Sequence, residues 1–116
     1  TLTDQPERVL AAEFIREKLL LTLDKEIPHG TAVVIERFKD RDDGILDIDA
    51  TIFCEKKTHK GIIIGKGGQT LKRIGILARR DLEDFFGCQV NLTCWVKVRE
   101  GWRNQRSAIH NFGLDS

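Results

Sequence analysis

Four glycines interrupt a segment of branched aliphatic and basic residues near the middle of the chain, Gly61-Ile-Ile-Ile-Gly-Lys-Gly-Gly-Gln-Thr-Leu-Lys-Arg-Ile74. Helical patterns lie on both sides, so the glycines predict a sharp join between two helices. Glycine has no Cβ, and main-chain N–H groups at such a join can approach a ligand closely. Any fold for this chain must therefore place a helix–loop–helix here.

The same segment lies in the one strongly basic zone of the chain. Residues 56–80 contain eight Lys or Arg and no acid, which leaves 11 basic and all 18 acidic residues elsewhere. A formal net charge of +1 therefore combines a zone of +8 with a remainder of −7. Such a concentration of positive charge predicts a polyanionic partner.

A length of 116 residues predicts one domain over residues 1–116, with flexible ends at 1–5 and 114–116. No apolar run approaches the roughly 20 residues that span a bilayer, and the N-terminus lacks the layout of a signal peptide. The chain contains no Met, which suggests a domain taken from a longer protein.

The three cysteines, Cys54, Cys88 and Cys94, are an odd number and have no metal-ligand spacing. Cys54 and Cys94 fall on apolar faces of predicted strands, which predicts buried free thiols. A reducing, cytoplasmic location follows as an expectation.

The N-terminal half predicts a helix followed by a β-hairpin. Apolar residues recur at helical spacing, and Pro28 and Gly30 end this helix; the stripe is Ala11, Ile15, Leu19 and Leu23. A β-branched strand over Thr31–Lys39, a turn over Asp40–Gly44 and an alternating strand over Leu46–Cys54 follow. The alternation predicts one buried face, with Asp47, Asp49, Thr51 and Phe53 on the solvent side.

The C-terminal half predicts three helices and one strand. Lys57–Ile64 predicts a short helix, although Gly61-Ile-Ile-Ile is ambiguous between helix and strand. Gly68–Phe86 is the clearest helix and ends before Gly87; its packed face is Leu71, Ile74, Ala78, Leu82 and Phe85. Val90–Val98 alternates as a strand, and Trp102–Phe112 predicts a last helix. The fold class is α+β, in the order α-β-β-α-α-β-α, with a three-stranded mixed sheet and helices on one face.

Two nucleotide-binding motifs do not fit the glycines. A Walker-type phosphate loop needs G-x-x-x-x-G-K-[ST], whereas three residues separate Gly61 from Gly65 and Gly67 follows Lys66. A dinucleotide fingerprint needs a third glycine or alanine where Thr70 stands, and a βαβ unit that the element order does not offer.

Gly65-Lys66-Gly67-Gly68 satisfies G-x-x-G. The bare tetrapeptide is also compatible with a simple helix–helix turn carrying solvated lysines. Its place in strand-helix-loop-helix-strand resembles the K-homology (KH) domain, in which the glycine loop clamps the backbone of about four nucleotides. The leading helix and two strands before the helix pair are similar to the type II, bacterial arrangement of that domain.

The predicted RNA site combines backbone amides with positive charge. The loop feeds the N-terminus of the helix over 68–86, whose dipole and free N–H groups favour an anion. Basic side chains add charge, and branched aliphatics supply a groove floor for unstacked bases. The predicted RNA-binding residues are Lys60, Ile63, Ile64, Gly65, Lys66, Gly67, Gly68, Lys72, Arg73 and Ile74.

Further segments resemble the C-terminal type II KH domain of the bacterial Era GTPase family, over about residues 5–113. The matching segments are Glu7-Arg8…Ala11-Ala12-Glu13…Ile15-Arg16-Glu17-Lys18, Val34-Ile35-Glu36-Arg37-Phe38, Ile64-Gly65-Lys66-Gly67-Gly68, Ile74-Gly75-Ile76…Ala78-Arg79 and Trp95-Val96-Lys97-Val98…Gly101-Trp102. Other type II KH proteins share the loop without these flanks.

The resemblance implies binding to the single-stranded 3′ end of small-subunit ribosomal RNA during assembly of the small ribosomal subunit. It also implies an N-terminal GTPase domain, which this chain lacks: no Walker A, Asp-x-x-Gly or Asn-Lys-x-Asp motif is present. The chain is therefore predicted neither to bind nor to hydrolyse GTP. It is also predicted to be a monomer. The family is also found at the inner membrane face, and only the basic zone would support weak contact there.

Two other function classes bear on this sequence. There are two alternatives to rRNA binding. The chain is a module that docks on the GTPase domain, or it belongs to a type II KH protein unconnected with ribosome assembly. An enzymatic function for this chain is disfavoured because no acid or base partner is implied for the carboxylates of Asp47 and Asp49. The three histidines are scattered, so no metal or cofactor is predicted. His59 is predicted to be a solvated loop residue, while Trp95 and Trp102 fit either a packing or a base-stacking role.

Overall fold

The computed structural model describes residues 5–24 and 26–100. Its elements are α1 (Gln5–Thr22), α2 (Glu26–His29), β1 (Thr31–Asp40), β2 (Leu46–Cys54), α3 (Lys57–Ile64), a 3₁₀ turn (Lys66–Gly68), α4 (Gln69–Phe86) and β3 (Val90–Val98). The predicted α+β order is confirmed through β3. The predicted helix at 102–112 and the predicted flexible ends lie outside the described residues, except that residue 5 already begins α1.

The sheet has the strand order β1-β2-β3. β1 and β2 are antiparallel partners joined by a tight turn, with a bulge between Ile35 and Arg37. β2 and β3 are parallel, with Leu46 opposite Val90 and Cys54 opposite Val98. Parallel neighbours require a crossover connection, and here α3, the glycine turn and α4 provide it. The sheet is therefore mixed, as predicted.

One face of the sheet forms the core together with α1, α3 and α4. The fully buried side chains include Ala11, Ile15 and Leu19 of α1, Ile48, Ala50 and Ile52 of β2, Ile63 of α3, and Ile74, Ala78 and Leu82 of α4. α1 also contacts α4 through Lys18, whose ammonium lies against the Asp81 and Glu17 carboxylates. Hydrogen bonding to these carboxylates raises the pKa of Lys18.

α1 ends earlier than the sequence predicts. It stops at Thr22, and Pro28 lies inside the short helix α2 rather than beyond a long one. The Arg16 guanidinium donates to the carbonyl oxygens of Pro28 (3.3 Å) and Thr31 (3.0 Å), and the Thr31 hydroxyl donates to the Pro28 carbonyl at 2.6 Å. These contacts fold the chain back against α1, which a periodic pattern alone does not reveal.

The solvent side of β2 is more buried than its alternation predicts. Asp47 and Thr51 are only 8% and 1% exposed. β2 is the central strand, so side chains of β1 and β3 flank it on both sides. Arg37 and Asn91 contact the Asp47 carboxylate at 3.5 and 3.1 Å. The prediction that Asp47 lies on an open solvent face is therefore wrong.

Phe85 is the second departure from the predicted packing. It stands on the face of α4 that was predicted to be packed, yet it is 55% exposed. Its ring contacts Phe14 and Phe86, with centroid separations of 5.5 and 5.1 Å, instead of entering the core.

None of the helices in the described part of the chain has the length and apolarity to cross a bilayer.

Candidate nucleic-acid interface

The backbone of the glycine loop (residues 65–68) adopts conformations that are strained for any residue with a Cβ. Gly65 (φ 77°, ψ 172°) ends α3, and Gly67 (φ 64°) and Gly68 (φ 77°) precede α4. The Gly65 N–H donates to the Gly61 carbonyl at 2.8 Å, and the Gly68 N–H donates to the Gly65 carbonyl at 3.1 Å. Positive φ values at three of four positions explain the predicted sharp join.

The three glycines differ in what surrounds them. A Cβ added at Gly65 would overlap the Thr70 hydroxyl and lie 2.6 Å from the Thr70 Cβ, whereas a Cβ at Gly67 or Gly68 would meet nothing within 4 Å. Gly65 is thus required for packing of the loop on α4. Gly67 and Gly68 face open space, and their missing side chains leave the main chain accessible to a ligand.

α4 begins directly after the loop and offers an anion site. Gly68 is the N-cap residue and has no side chain to satisfy the first amides, and the first turn of this described helix contains no acid. The N-terminal dipole and free amides of a helix attract negative charge. Lys66, Lys72 and Arg73 are all exposed around this end. The loop and the helix end therefore concentrate hydrogen-bond donors and positive charge.

A cleft of about 690 Å³ extends from this end of α4 along the start of β3. Lys72, Gly75, Ile76 and Arg79 line it from α4, Gln89, Val90, Asn91 and Leu92 from the β3 side, and Arg41 and Ile45 from the turn between β1 and β2. A Cβ added at Gly75 would meet nothing within 4 Å. Packing therefore does not require a glycine at this position of α4, and the open space beside it allows close approach of a ligand.

The structure does not bring all the predicted site residues together. The loop glycines, Lys66, Lys72 and Arg73 surround one helix end. Ile63 and Ile74 have no exposed surface, so they support the groove from the core and are not themselves accessible to a base. The accessible apolar surface comes instead from half-buried residues, chiefly Ile64 behind the loop and Ile76 and Leu92 in the cleft.

Lys60 lies apart from the loop, on the side of α3 near the end of β2. Burial raises the pKa of the Cys54 thiol, and the positive charge of Lys60 partly offsets this effect. Sequence reasoning missed Arg41, Arg79, Gln89 and Asn91, which line the cleft. A signal for Arg79 is present, because it follows Lys72 by seven residues and so shares its side of the helix.

Two described side chains of potentially reactive type, Cys94 and His59, are partly buried. Burial raises the pKa of Cys94 to about 11, which keeps the thiol protonated and poorly nucleophilic at neutral pH. His59 is not a solvated loop residue as predicted: it lies in α3, half-buried, and its Nδ1 has no hydrogen-bond partner among the described residues. Within residues 5–24 and 26–100, no group of three His, Cys, Asp or Glu could hold a metal ion.

A mixed three-stranded sheet, a crossover of two helices and a G-x-x-G turn between those helices define a KH domain. Residues 26–103 match the family model described as KH domain, and the chain belongs to that family. Over 97% of its length it also matches the C-terminal part of GTPase Era proteins, which confirms the predicted resemblance.

The relatives are considerably longer than this chain. It is 57% identical over 113 residues to GTPase Era of Caldanaerobacter subterraneus subsp. tengcongensis, and the matched region covers 97% of this chain and 38% of the relative. It is 59% identical over 115 residues to GTPase Era of Clostridioides difficile, which covers 98% and 39%. The chain therefore spans about two fifths of the length of these relatives.

Two solved structures have the same fold. A crystal structure of a single-substitution variant of Aquifex aeolicus Era, bound to GDP.AlF4-, superposes with a TM-score of 0.86 at 42% identity, covering 93% of this chain and 36% of that one. A crystal structure of Era in complex with MgGDPNP and nucleotides 1506–1542 of 16S ribosomal RNA gives a TM-score of 0.84 at 42% identity, covering 91% and 36%.

Proposed function

We propose that this chain is the RNA-binding domain of an Era-like ribosome-assembly GTPase. In this proposal it binds the single-stranded 3′ end of small-subunit ribosomal RNA through the glycine loop and the adjoining cleft. The observation that carries the proposal is the open main chain at Gly67 and Gly68, set at the N-terminus of α4 among exposed cations. The similar Era structure with a 16S ribosomal RNA segment supports the ligand class.

The glycine loop binds the RNA backbone. Phosphate oxygens accept hydrogen bonds from loop and first-turn N–H groups, and the dipole of α4 adds a favourable field. Lys66, Lys72 and Arg73 neutralise phosphates, so affinity falls as salt concentration rises. These contacts are independent of sequence and fix the position of the strand.

The cleft receives the bases. An RNA strand that leaves the loop along α4 passes Gly75, where the absence of a Cβ permits close approach. Ile76 and Leu92 offer apolar contact to unstacked bases from the two walls. Arg79 and Gln89 supply hydrogen-bond donors, and Gln89 also an acceptor, for base edges. The polar groups of this cleft are the ones that discriminate between bases.

The test is the double variant Lys66→Asp with Gly67→Asp, titrated by fluorescence anisotropy with an oligonucleotide of the 16S ribosomal RNA 3′ end. Asp tolerates a left-handed backbone better than most residues, and there is space for it at Gly67. We expect a fold unchanged by circular dichroism and binding reduced by at least about a hundredfold, since phosphate contacts become repulsive.

The matched control adds negative charge far from the loop. Leu21→Asp changes a residue of α1 that is 72% exposed, and RNA affinity should stay within about twofold because a distant exposed charge is screened. Equal affinity of the double variant and the unmodified chain would contradict the proposal.

The remaining parts of this proposal concern the longer protein. We infer that residues 1–116 form one monomeric RNA-binding domain, that the chain itself neither binds nor hydrolyses GTP, and that a preceding GTPase domain regulates RNA binding. Light scattering and a titration with a fluorescent GTP analogue test the first two points. A cytoplasmic location with weak contact to the inner membrane surface belongs to the same proposal, and liposome flotation tests it.

Docking on the GTPase domain is the second candidate role. Leu20, Leu21 and Phe85 are exposed on the helical side of the molecule, at 45%, 72% and 55%, and the relatives extend beyond the chain on its N-terminal side. In a full-length protein, Leu21→Asp with Phe85→Ser would uncouple RNA binding from nucleotide state while the affinity of the isolated domain is retained.

A further inference from the structure

The sheet has an outward face that the described helices do not cover. It consists of the alternate strand positions that point away from the core: Ala32, Val34, Arg37 and Lys39 of β1, Asp47, Asp49, Thr51 and Phe53 of β2, and Asn91, Thr93, Trp95 and Lys97 of β3. The RNA cleft lies between α4 and the start of β3, and Asn91 at the start of β3 borders both the cleft and the outward face. The rest of the outward face has no part in the function proposed above.

One end of the outward face is apolar and aromatic. In register, Val34 lies opposite Thr51 and Thr51 lies opposite Trp95. Thr51 is 1% exposed and lies beneath its neighbours, whereas Trp95 is 47% exposed. Next along β2, the half-buried Phe53 has the Arg99 guanidinium 4.6 Å from its ring centroid. An exposed indole beside an apolar row and a stacked guanidinium is typical of a surface that a ligand covers.

The charged groups around these rings are arranged to attract an anion. Four cations in outward positions or directly after β3 are exposed: Arg37, Lys39, Lys97 and Arg99. Of the nearby carboxylates, Asp47 is buried and Asp49 and Glu55 are half-buried, whereas the exposed ones, Glu36, Asp40 and Glu100, lie at the β1 bulge and at strand ends. Asp47 is moreover paired with Arg37 and Arg41, at 3.5 and 3.7 Å. Outside the basic zone the chain has an excess of acid, so this face is a local exception.

We propose that the outward face around Trp95 and Phe53 is a second RNA-binding surface, on which unpaired bases of a single strand stack. Aromatic rings with interleaved cations bind single-stranded nucleic acid because every base has a π-face and every linkage a charge. A protein partner is disfavoured, since the cores of protein interfaces are depleted of lysine and here Lys97 stands beside Phe53. The proposal rests on the proposed function only for the ligand class.

The two surfaces are joined by β3. This strand forms an edge of the sheet; Leu92 lines the cleft, and Trp95, three residues later, lies on the outward face. A rise of about 3.3 Å per residue separates them by about 10 Å along the strand. A short RNA of about four nucleotides occupies the glycine-loop clamp alone. A longer strand leaves the cleft across the β3 edge and reaches the rings.

The experiment uses the 116-residue chain with Trp102→Phe, which leaves Trp95 as the only tryptophan. We titrate it with RNA of about 4 and about 12 nucleotides from the 16S 3′ end. The longer RNA should quench Trp95 emission and the shorter should not. Trp95→Ala should weaken binding of the longer RNA by about tenfold and leave the shorter unchanged, because one stacked base is lost. Trp95→Phe should retain most of the affinity.

Leu21→Ala is the matched control, since it removes an exposed apolar side chain from the opposite side of the molecule and should change neither affinity. Three results would overturn the proposal. In the first, the Trp95→Ala variant binds the longer RNA as tightly as the chain that retains Trp95. In the second, that variant keeps its fold but loses affinity for both RNAs. In the third, Trp95 is shielded from iodide before any RNA is added. A failure of the glycine-loop proposal can be told apart from a failure of this one. In that case the double variant Lys66→Asp with Gly67→Asp would still bind the short RNA.

Discussion

Two turns of this molecule are built from similar residues and behave differently. The glycine loop (residues 65–68) and the hairpin turn between β1 and β2 (residues 41–45) both contain positive-φ glycine and charged side chains. In the hairpin turn, the Arg41 N–H donates to the Ile45 carbonyl (2.8 Å), the Ile45 N–H to Asp43 (3.1 Å) and the Arg41 guanidinium to Asp43 (2.6 Å). The turn thus pairs the Arg41 guanidinium and the Arg41 and Ile45 N–H groups within itself.

The glycine loop bonds its Gly65 and Gly68 N–H groups within the chain but leaves its charged side chains unpaired by any neighbouring acid. Lys66 and Lys72 lie exposed beside the loop, and the first amides of α4 have no capping side chain at Gly68. Charge and glycine content do not distinguish the two turns. What distinguishes them is whether an acid two residues away can close the turn on itself, as Asp43 does for Arg41. The absence of acids from 56–80 is therefore what keeps the glycine loop available for a ligand.

The largest expected effect is on stability, and it differs between a glycine of the glycine loop and the glycine of the hairpin turn. Gly65→Ala should destabilise the fold by about 3 kcal/mol, because it adds a clash with Thr70 to a backbone conformation that only glycine adopts easily. Gly44→Ala has the same sign of φ without a clash and should cost about 1 kcal/mol. Urea denaturation followed by circular dichroism measures both.

Gly67→Ala is the control within the glycine loop. Its φ of 64° resembles the left-handed region and nothing crowds its Cβ, so it should behave like Gly44→Ala. If Gly65→Ala and Gly67→Ala destabilised the protein equally, the division of the loop into a packing glycine and open glycines would be wrong.

Much of this could be predicted from the sequence because the signals are local. Period-two patterns predict the three strands, and period-3.6 patterns predict the helices α1 and α4. The pattern at α3 is ambiguous between helix and strand, and the charge count predicts the basic helix end. Thr70 lies only five residues from Gly65, yet its hydroxyl position depends on how α4 meets the loop. The crowding at Gly65 is thus set by geometry that no pattern expresses.

The remaining features depend on contacts that are distant in sequence. Ile63 and Ile74 look like groove residues because they flank the loop, but packing within the core buries them completely. Asp47 alternates with apolar residues as a solvent-facing position should, but its place in the central strand covers it. The cleft joins Arg41 to Gln89, two residues that only the parallel pairing of β2 and β3 brings together.

A smaller effect tests whether the cations of the two regions are equally available. Lys72→Gln should reduce the slope of log affinity against log salt by about 0.7, the value for one phosphate contact to a single strand. Arg41→Gln should leave the slope unchanged, although Arg41 also lines the cleft, because Asp43 and Asp47 already neutralise its charge. Anisotropy titrations over a range of salt concentrations measure both. Equal slopes for the two variants would remove the distinction.

The smallest effect comes from opening the hairpin turn. Asp43→Ala removes the acceptor of the Ile45 N–H and the partner of Arg41. Both of these contacts are at the surface, so the free energy of unfolding should fall by only about 0.5 to 1 kcal/mol. RNA affinity should rise, by less than about twofold, since one negative charge disappears from the end of the cleft. Asp42→Ala removes an equal charge from the same turn and is the matched control. If Asp43→Ala raised the affinity tenfold while Asp42→Ala did not, Arg41 would be an RNA contact that Asp43 normally occupies, and the hairpin turn would belong to the site.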